Sequence, residues 1–396
     1  ENIILNFFKE KLNHSTSPNE VKSWKESLRY MDSVLQDRGI PDDCGIAIEY
    51  QIPQTSKRVD FILSGQGAKG EDYAILIELK QWQEAYTTQK DAIIKTYVGG
   101  GIREVAHPSY QAWSYATLLE GFNEAVYSEN IQLYPCAYLH NYTKDGNLDS
   151  EFYQEYINKA PIFFKSDAIK LRDFIKSHVK YGDKSNILYR IESGKIKPSK
   201  SLADSLVSML KRNKEFTLID EQKTVYETAL ALAKQSSDIN KNVLIVKGGP
   251  GTGKSVIAIN LLVELTKLGL VAQYVSKNAA PRAVYESKLT GTFKPTVIKN
   301  MFKGSGSFVN TKANEIKALI VDEAHRLNEK GGLYNNVGDN QIKEIIHSSE
   351  FSVFFIDEDQ RVTLNDIGEV DEIERWAAFA GASIHIMELS SQFRCG

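Results

Sequence analysis

Two groups of residues in this chain have types and spacings that could do chemistry. The first is Gly248, Gly249, Pro250, Gly251, Thr252, Gly253, Lys254 and Ser255. Glycines let backbone N–H groups close around phosphate oxygens, and a following helix adds the positive end of its dipole. Lys254 would then reach the β- and γ-phosphates of ATP, with the Ser255 hydroxyl on Mg²⁺. About 70 residues on, "KALIVDEAHRL" delivers Asp322 and Glu323 from an apolar run. Asp322 would hold the same Mg²⁺ through water, and Glu323 would polarise the attacking water.

The second group is Asp60 in "RVDFILSG" and Glu78 and Lys80 in "AILIELKQW". In a strand, residues 78 and 80 share a face because the side-chain period is two. Two carboxylates and a lysine suit Mg²⁺-assisted phosphodiester hydrolysis, with Mn²⁺ an alternative ion. Asp60 and Glu78 would hold the metal while Lys80 orients or activates water. Such spacing also occurs on ordinary half-buried strands, but "ILIELK" is too apolar for an exposed edge. "HPSYQAWSYA" places Gln111 and Tyr115 four apart on one helix face. His107 could join this site, though a capping or packing role is the simpler reading.

These residues need elements to hold them. Helical periodicity over residues 1 to about 40 is followed by strand-like "GIAIEYQI", "RVDFIL" and "YAILIELKQW". Helical spacing returns from Ala106, and "LYPCAYLHNY" reads as a buried strand. A mixed α/β domain over 1–164 is expected. Residues 165–214 carry thirteen Lys/Arg against five Asp/Glu. They read either as a solvated basic helical connector or as a surface for nucleic-acid phosphates. Beyond Glu215, "NVLIVKGG", "VAQYV", "KALIVDEAH" and "FSVFFIDEDQ" have the continuous apolar character of parallel strands buried on both faces. The region 215–396 is therefore expected to be a second, doubly wound α/β domain.

The bulk numbers are permissive. The 396 residues suffice for two or three domains, and a formal charge of −3 excludes a uniformly basic nucleic-acid coat. Cys44, Cys136 and Cys395 lack metal-site spacing and fit a reducing cytoplasm. No apolar run approaches the roughly 20 residues of a membrane span. The chain begins at Glu and stops after "SSQFRCG", so both ends look cut.

In order, "LIDEQ", the glycine-rich loop, "YVSKNAAPR", "DEAH", "DEDQ" and "QFR" resemble the first RecA-like P-loop NTPase domain of a superfamily 1 helicase. The resemblance implies that Gln222 reads adenine and that Asp357 and Gln360 sense the γ-phosphate. It implies that Arg394 reaches that phosphate and that Ser276, Lys277 and Asn278 contact a single strand. A second RecA-like domain is absent from this sequence, so poor hydrolysis and no unwinding are expected. The N-terminal array resembles a PD-(D/E)XK nuclease of the RecB-type branch, which adds Glu49 as an earlier acidic ligand. Across nearly the whole chain, "GIPDDCGIAIEYQIPQTSKRVDFILSG", "REVAHPSYQAWSYA", "FTLIDEQKTVYE" and "QFRCG" resemble bacterial Schlafen-group-3-like nuclease–helicases of Nhi-type phage defence. That resemblance implies cytoplasmic, ATP-dependent action on DNA, whether single-stranded or duplex ends, with oligomers possible. Two alternatives stay open. One is an ATP-gated nucleic-acid-binding switch with an inactive nuclease site; the other is a nuclease acting on RNA.

Overall fold

The protein is described by a computed structural model covering residues 18–52, 55, 57–195, 217–330, 338–361 and 366–390, with side chains from Glu26 on. It divides into two compact units, the first taking in residues 18–195 apart from Thr55 and the second 217–390.

The first unit opens with helix α1 (Pro18–Leu35) and the antiparallel strands β1 (Gly45–Gln51), β2 (Arg58–Gln66) and β3 (Asp72–Lys80). A small antiparallel sheet follows, β4 (Ala85–Thr87), β5 (Ile93–Val98) and β6 (Gly101–Ala106), then helices α2 (Pro108–Phe122) and α3 (Glu124–Ser128). Strand β7 (Gln132–Leu139) returns parallel to β3. Helix α4 (Gln154–Lys159) leads to β8 (Ile162–Phe164), and helices α5 (Ala168–His178) and α6 (Ile187–Ser193) complete the unit. The main sheet runs β1-β2-β3-β7-β8.

Central β3 explains its own composition. Ile75 and Ile77 face a core with Met31 and Val34 of α1 and Leu171 and Ile175 of α5, while Ala74 and Leu76 face Tyr115 and Leu119 of α2 and Ile187 and Ile191 of α6. Burying each large aliphatic side chain is worth roughly 1.5–3 kcal/mol. A strand covered on both faces therefore has little room for a charge without a purpose.

Of the expected connector at 165–214, the described part packs with the first unit. Residues 165–195 belong to the first unit, because the i, i+4 pairs Leu171/Ile175 and Ile187/Ile191 supply its core. Their basic neighbours pair locally. Arg172 and Lys176 lie near Asp37 at 3.7 and 3.6 Å, and Arg190 bridges Asp72 and Glu129 at 2.5 Å each. Residues 196–214 lie outside the described residues.

The second unit alternates helices and strands. Helix α7 (Asp220–Gln235) leads into β9 (Asn242–Gly248), α8 (Lys254–Lys267), β10 (Ala272–Val275), α9 (Ala279–Leu289), α10 (Pro295–Met301) and β11 (Phe302–Lys303). Then come β12 (Ile316–Val321), α11 (Gln341–Ser348), β13 (Ser349–Ile356), α12 (Val370–Phe379) and β14 (Ser383–Leu389). All six strands are parallel in the order β11-β10-β12-β13-β9-β14. One face packs Leu244, Val246 and Phe355 against α7 and α8, and the other packs Ile245, Val321 and Phe354 against α11 and α12. The continuous apolar runs follow from this double burial. Strand β13 lies between β9 and β12, so their C-terminal ends converge where open α/β sheets bind ligands. Among the described residues, no helix is long and apolar enough to cross a membrane.

Candidate functional site

The glycine-rich loop joins β9 to α8. Gly251 and Gly253 have φ of 74° and 84°, in the left-handed region that glycine adopts without strain. Lys254 folds back over the loop and donates from Nζ to the carbonyls of Gly248 at 2.5 Å and Gly249 at 2.7 Å. Its Nζ also lies 3.9 Å from Asp357 Oδ2. Burial lowers the Lys254 pKa, while Asp357, Asp322 and Glu323 oppose that shift.

Ser255 Oγ donates to Asp322 Oδ2 at 2.6 Å, so the two groups expected to share a cation are already together. Tyr274 OH donates to the same oxygen at 2.8 Å, and the Glu323 amide holds Asp322 Oδ1 at 3.0 Å. Glu323 itself has φ of 53°, a conformation costing a non-glycine residue of order 1–2 kcal/mol. Burial, and next the Asp322 charge, push its carboxyl pKa up. Asp357, just past β13, is 5% exposed, and its Oδ2 accepts no hydrogen bond among the described residues. Unsatisfied acceptor capacity, a lysine and a magnesium-type Ser/Asp pair are what a nucleoside triphosphate with its cation would use.

Other expected residues fall differently. Gln222 does meet the loop, but it donates to the Thr252 carbonyl at 3.0 Å and accepts from the Ile219 amide at 3.3 Å. Its visible work is to brace the loop. Gln360 is exposed, in a short turn after Asp357. Ser276 is fully buried with its Oγ toward Glu323 at 3.4 Å, and the Asn278 side chain caps α9 by accepting from the Ala280 amide. Lys277 pairs with Asp366 at 3.2 Å and Asn328 at 2.8 Å. These intramolecular bonds engage the three side chains expected at a nucleic-acid strand. Arg394 lies outside the described residues. Sequence reasoning missed Tyr274 and His325. His325 is 3% exposed with its Nδ1 unpartnered among the described residues, and burial lowers its pKa.

A Cβ at Gly253 would stand 2.2 Å from Gln222 Nε2, in addition to the strain of φ 84°. Gly253→Ala is expected to destabilise the second unit by about 1–3 kcal/mol. Urea unfolding read by intrinsic fluorescence checks this; an unchanged midpoint would remove Gln222 as the brace.

In the first unit the register Ile48↔Phe61, Tyr50↔Val59 and Phe61↔Ile77 sets Glu49, Asp60 and Glu78 in one row across β1, β2 and β3. Glu49 has φ of 54°, a left-handed backbone conformation within the strand. By the period of two, Glu78 and Lys80 share the face of Ala74 and Leu76, which Tyr115 of α2 covers. Gln111 Nε2 donates to Tyr115 OH at 3.1 Å on that helix.

Lys80 Nζ bonds Glu78 Oε1 at 2.6 Å, the Leu79 amide donates to Asp60 Oδ2 at 2.7 Å, and Arg58 reaches Glu49 at 3.4 Å. Burial raises the Asp60 pKa to about 6; Glu49 adds to the rise, while Lys80 and the Leu79 amide oppose it. Three carboxylates against Lys80 and Arg58 leave an excess of negative charge, which fits a divalent cation. The oxygens are turned to those internal partners. Among the described residues, no three acidic, His or Cys side chains are grouped closely enough to hold a metal ion as they stand. His107 is fully buried, caps α2 by accepting from the Ser109 amide, and bonds the Leu148 carbonyl through Nε2 at 2.8 Å. It is a packing residue and stands outside the acidic row.

Residues 241–396 match the family described as the Schlafen group 3, DNA/RNA helicase domain. No curated protein matches the chain. Among solved structures, one titled as the crystal structure of a DNA replication initiation factor is similar at 18% identity and a TM-score of 0.24, over 42% of this chain and 45% of that one. This chain thus matches less than half the length of that protein.

Proposed function

We propose that this chain is an ATP-dependent nuclease–helicase acting on DNA in the cytoplasm, in defence against phage. The observation that carries the reading is the convergence of Lys254, Ser255, Asp322 and Asp357 at the C-terminal edge of an all-parallel sheet, in a segment similar to a helicase family. In the second unit, Lys254 neutralises phosphate charge, Ser255 and Asp322 hold Mg²⁺, and Glu323 orients water. Gln222, which braces the loop, would exchange one of those bonds to read adenine, while Gln360 and Arg394 answer to the γ-phosphate. In the first unit, Glu49, Asp60 and Glu78 would hold Mg²⁺ or Mn²⁺ once turned from Arg58, the Leu79 amide and Lys80. The ion, when bound, supplies charge to the phosphodiester. Lys80, now on Glu78, would be the group to position the attacking water, and Gln111 and Tyr115 would steady the substrate backbone.

An ATP-gated binding switch is the second reading, favoured by the absence of a grouped three-ligand set among the described residues. One assay separates the two. Labelled single- and double-stranded DNA, with an RNA arm, is incubated with Mg²⁺ with and without ATP, beside Lys80→Ala. The nuclease reading expects cleavage reduced at least about hundredfold in the variant. Equal cleavage by both proteins, or none by either, returns the reading to the switch.

A further inference from the structure

The sheet β4–β5–β6 has one face inward and one out. Ala85 and Ile94 pack inward with Ala137, Leu139, Tyr142 and Phe164. Ala137 and Leu139 are the register partners of Glu78 and Lys80, so the small sheet rests on the face of the main sheet that carries the nuclease groups. The chain also brackets it between them: the sheet begins five residues after Lys80 and ends five before Gln111.

The outward face carries exposed aromatic and aliphatic side chains around the Lys95–Glu104 pair, while Ile93 and Ala106 at its far end are buried. Tyr86, Tyr97 and Ile102 are 47%, 58% and 61% exposed. Tyr97 pairs directly with Ile102, and Tyr86 pairs with Lys95, two positions along β5 from Tyr97. The two tyrosines are therefore diagonal neighbours, about 7–8 Å apart. A bond of 2.9 Å from the Tyr86 hydroxyl to Glu84 fixes one ring. Around them, Lys90 and Lys95 flank Glu104 at 2.5 and 3.9 Å, and Arg103 curls over the hairpin tip at Gly99, so three cations stand against the two carboxylates Glu84 and Glu104. Flat exposed aromatics beside cations suit unpaired bases, whose π-faces stack regardless of sequence while the backbone meets the cations.

We propose that the outer face of β4–β5–β6 is a stacking platform for a single-stranded nucleic acid, whose backbone leads on to the Asp60, Glu78 and Lys80 group. That last clause rests on the nuclease reading of the group; the platform itself does not.

The full chain is titrated with fluorescent single-stranded and blunt duplex DNA in EDTA, so that binding is read without cleavage. Tyr86→Ala/Tyr97→Ala is expected to weaken single-strand affinity roughly ten- to hundredfold and duplex affinity less than about twofold. Tyr86→Phe/Tyr97→Phe, which keeps the stacking surface, is expected to stay within about twofold. An oligonucleotide carrying 5-iododeoxyuridine is expected to photocross-link to Tyr86 or Tyr97. No cross-link at either tyrosine, unchanged single-strand affinity, or equal loss on duplex each overturns the platform. Failure of the platform alone leaves Lys80-dependent cleavage intact. Failure of the nuclease reading alone leaves tyrosine-dependent binding without cleavage.

Discussion

Lys254→Ala is expected to abolish ATP binding, by at least about hundredfold, while metal-dependent nicking by the other unit continues. The lysine ammonium is held by two carbonyls of its own loop and faces Asp357. Burial already disfavours its charge, so incoming phosphate oxygens give it better partners than neutral carbonyls do. Charge-assisted hydrogen bonds of that kind contribute about 1.5–3 kcal/mol each. Alanine removes them and leaves Asp357, 5% exposed, without its counter-charge, so a stability loss of about 1 kcal/mol should accompany the binding loss. Calorimetric titration with ATP and nicking of supercoiled plasmid measure the two activities on one preparation. Equal loss of both would sink the assignment of two separate sites.

What could be read in advance depended on how local the signal was. The strand-then-glycine-loop pattern around Lys254 and the buried runs ending at Asp322 and Asp357 are self-contained, and the parallel sheet follows from them. Strand β14 is half-exposed at the sheet edge, so "SIHIMEL" lacks the apolar continuity that marks its neighbours. The hairpin of β5 and β6 was legible in principle: Gly99 and Gly100, with φ of 59° and 83°, close a two-residue turn of the type that demands glycine. Helices α5 and α6 read as helical but not as core elements, since their four lysines and arginines match in number the four aliphatics, Leu171, Ile175, Ile187 and Ile191, that anchor them. Tyr274 is a core aromatic, at 1% exposure, and only its bond to Asp322 makes it part of the site. Lys277 looked free for phosphate until the fold placed Asp366 beside it, a partner 89 residues away.

The row Glu49, Asp60 and Glu78 supports the sharpest remaining expectation, that Asp60→Asn loses cleavage and gains stability. Asp60 carries a pKa raised from 3.8 to about 6, chiefly by burial. A carboxyl whose folded pKa lies above its unfolded value contributes stability that is fully present below about pH 4 and is lost as pH rises through 6. At pH 7.5 the ionised form therefore weighs against folding. The shift corresponds to at most about 3 kcal/mol, and the half-buried position of the group discounts that to about 1–2 kcal/mol. Asparagine keeps an oxygen for the Leu79 amide and discards the charge. The stability gap between Asp60→Asn and the parent should be small at pH 4, widen between pH 4 and 7, and level off at a few degrees in Tm. Mg²⁺ should narrow the gap by stabilising only the parent, since a ligand stabilises the folded state it binds. Cleavage by the parent should rise over the interval in which Asp60 ionises, and the variant should show none. Thermal melts of both proteins from pH 4 to 8, with and without Mg²⁺, test every part of this. A variant that melts below its parent at pH 7.5, or a gap indifferent to pH and Mg²⁺, would mean that the acidic row is a structural feature of the sheet and not a cation site.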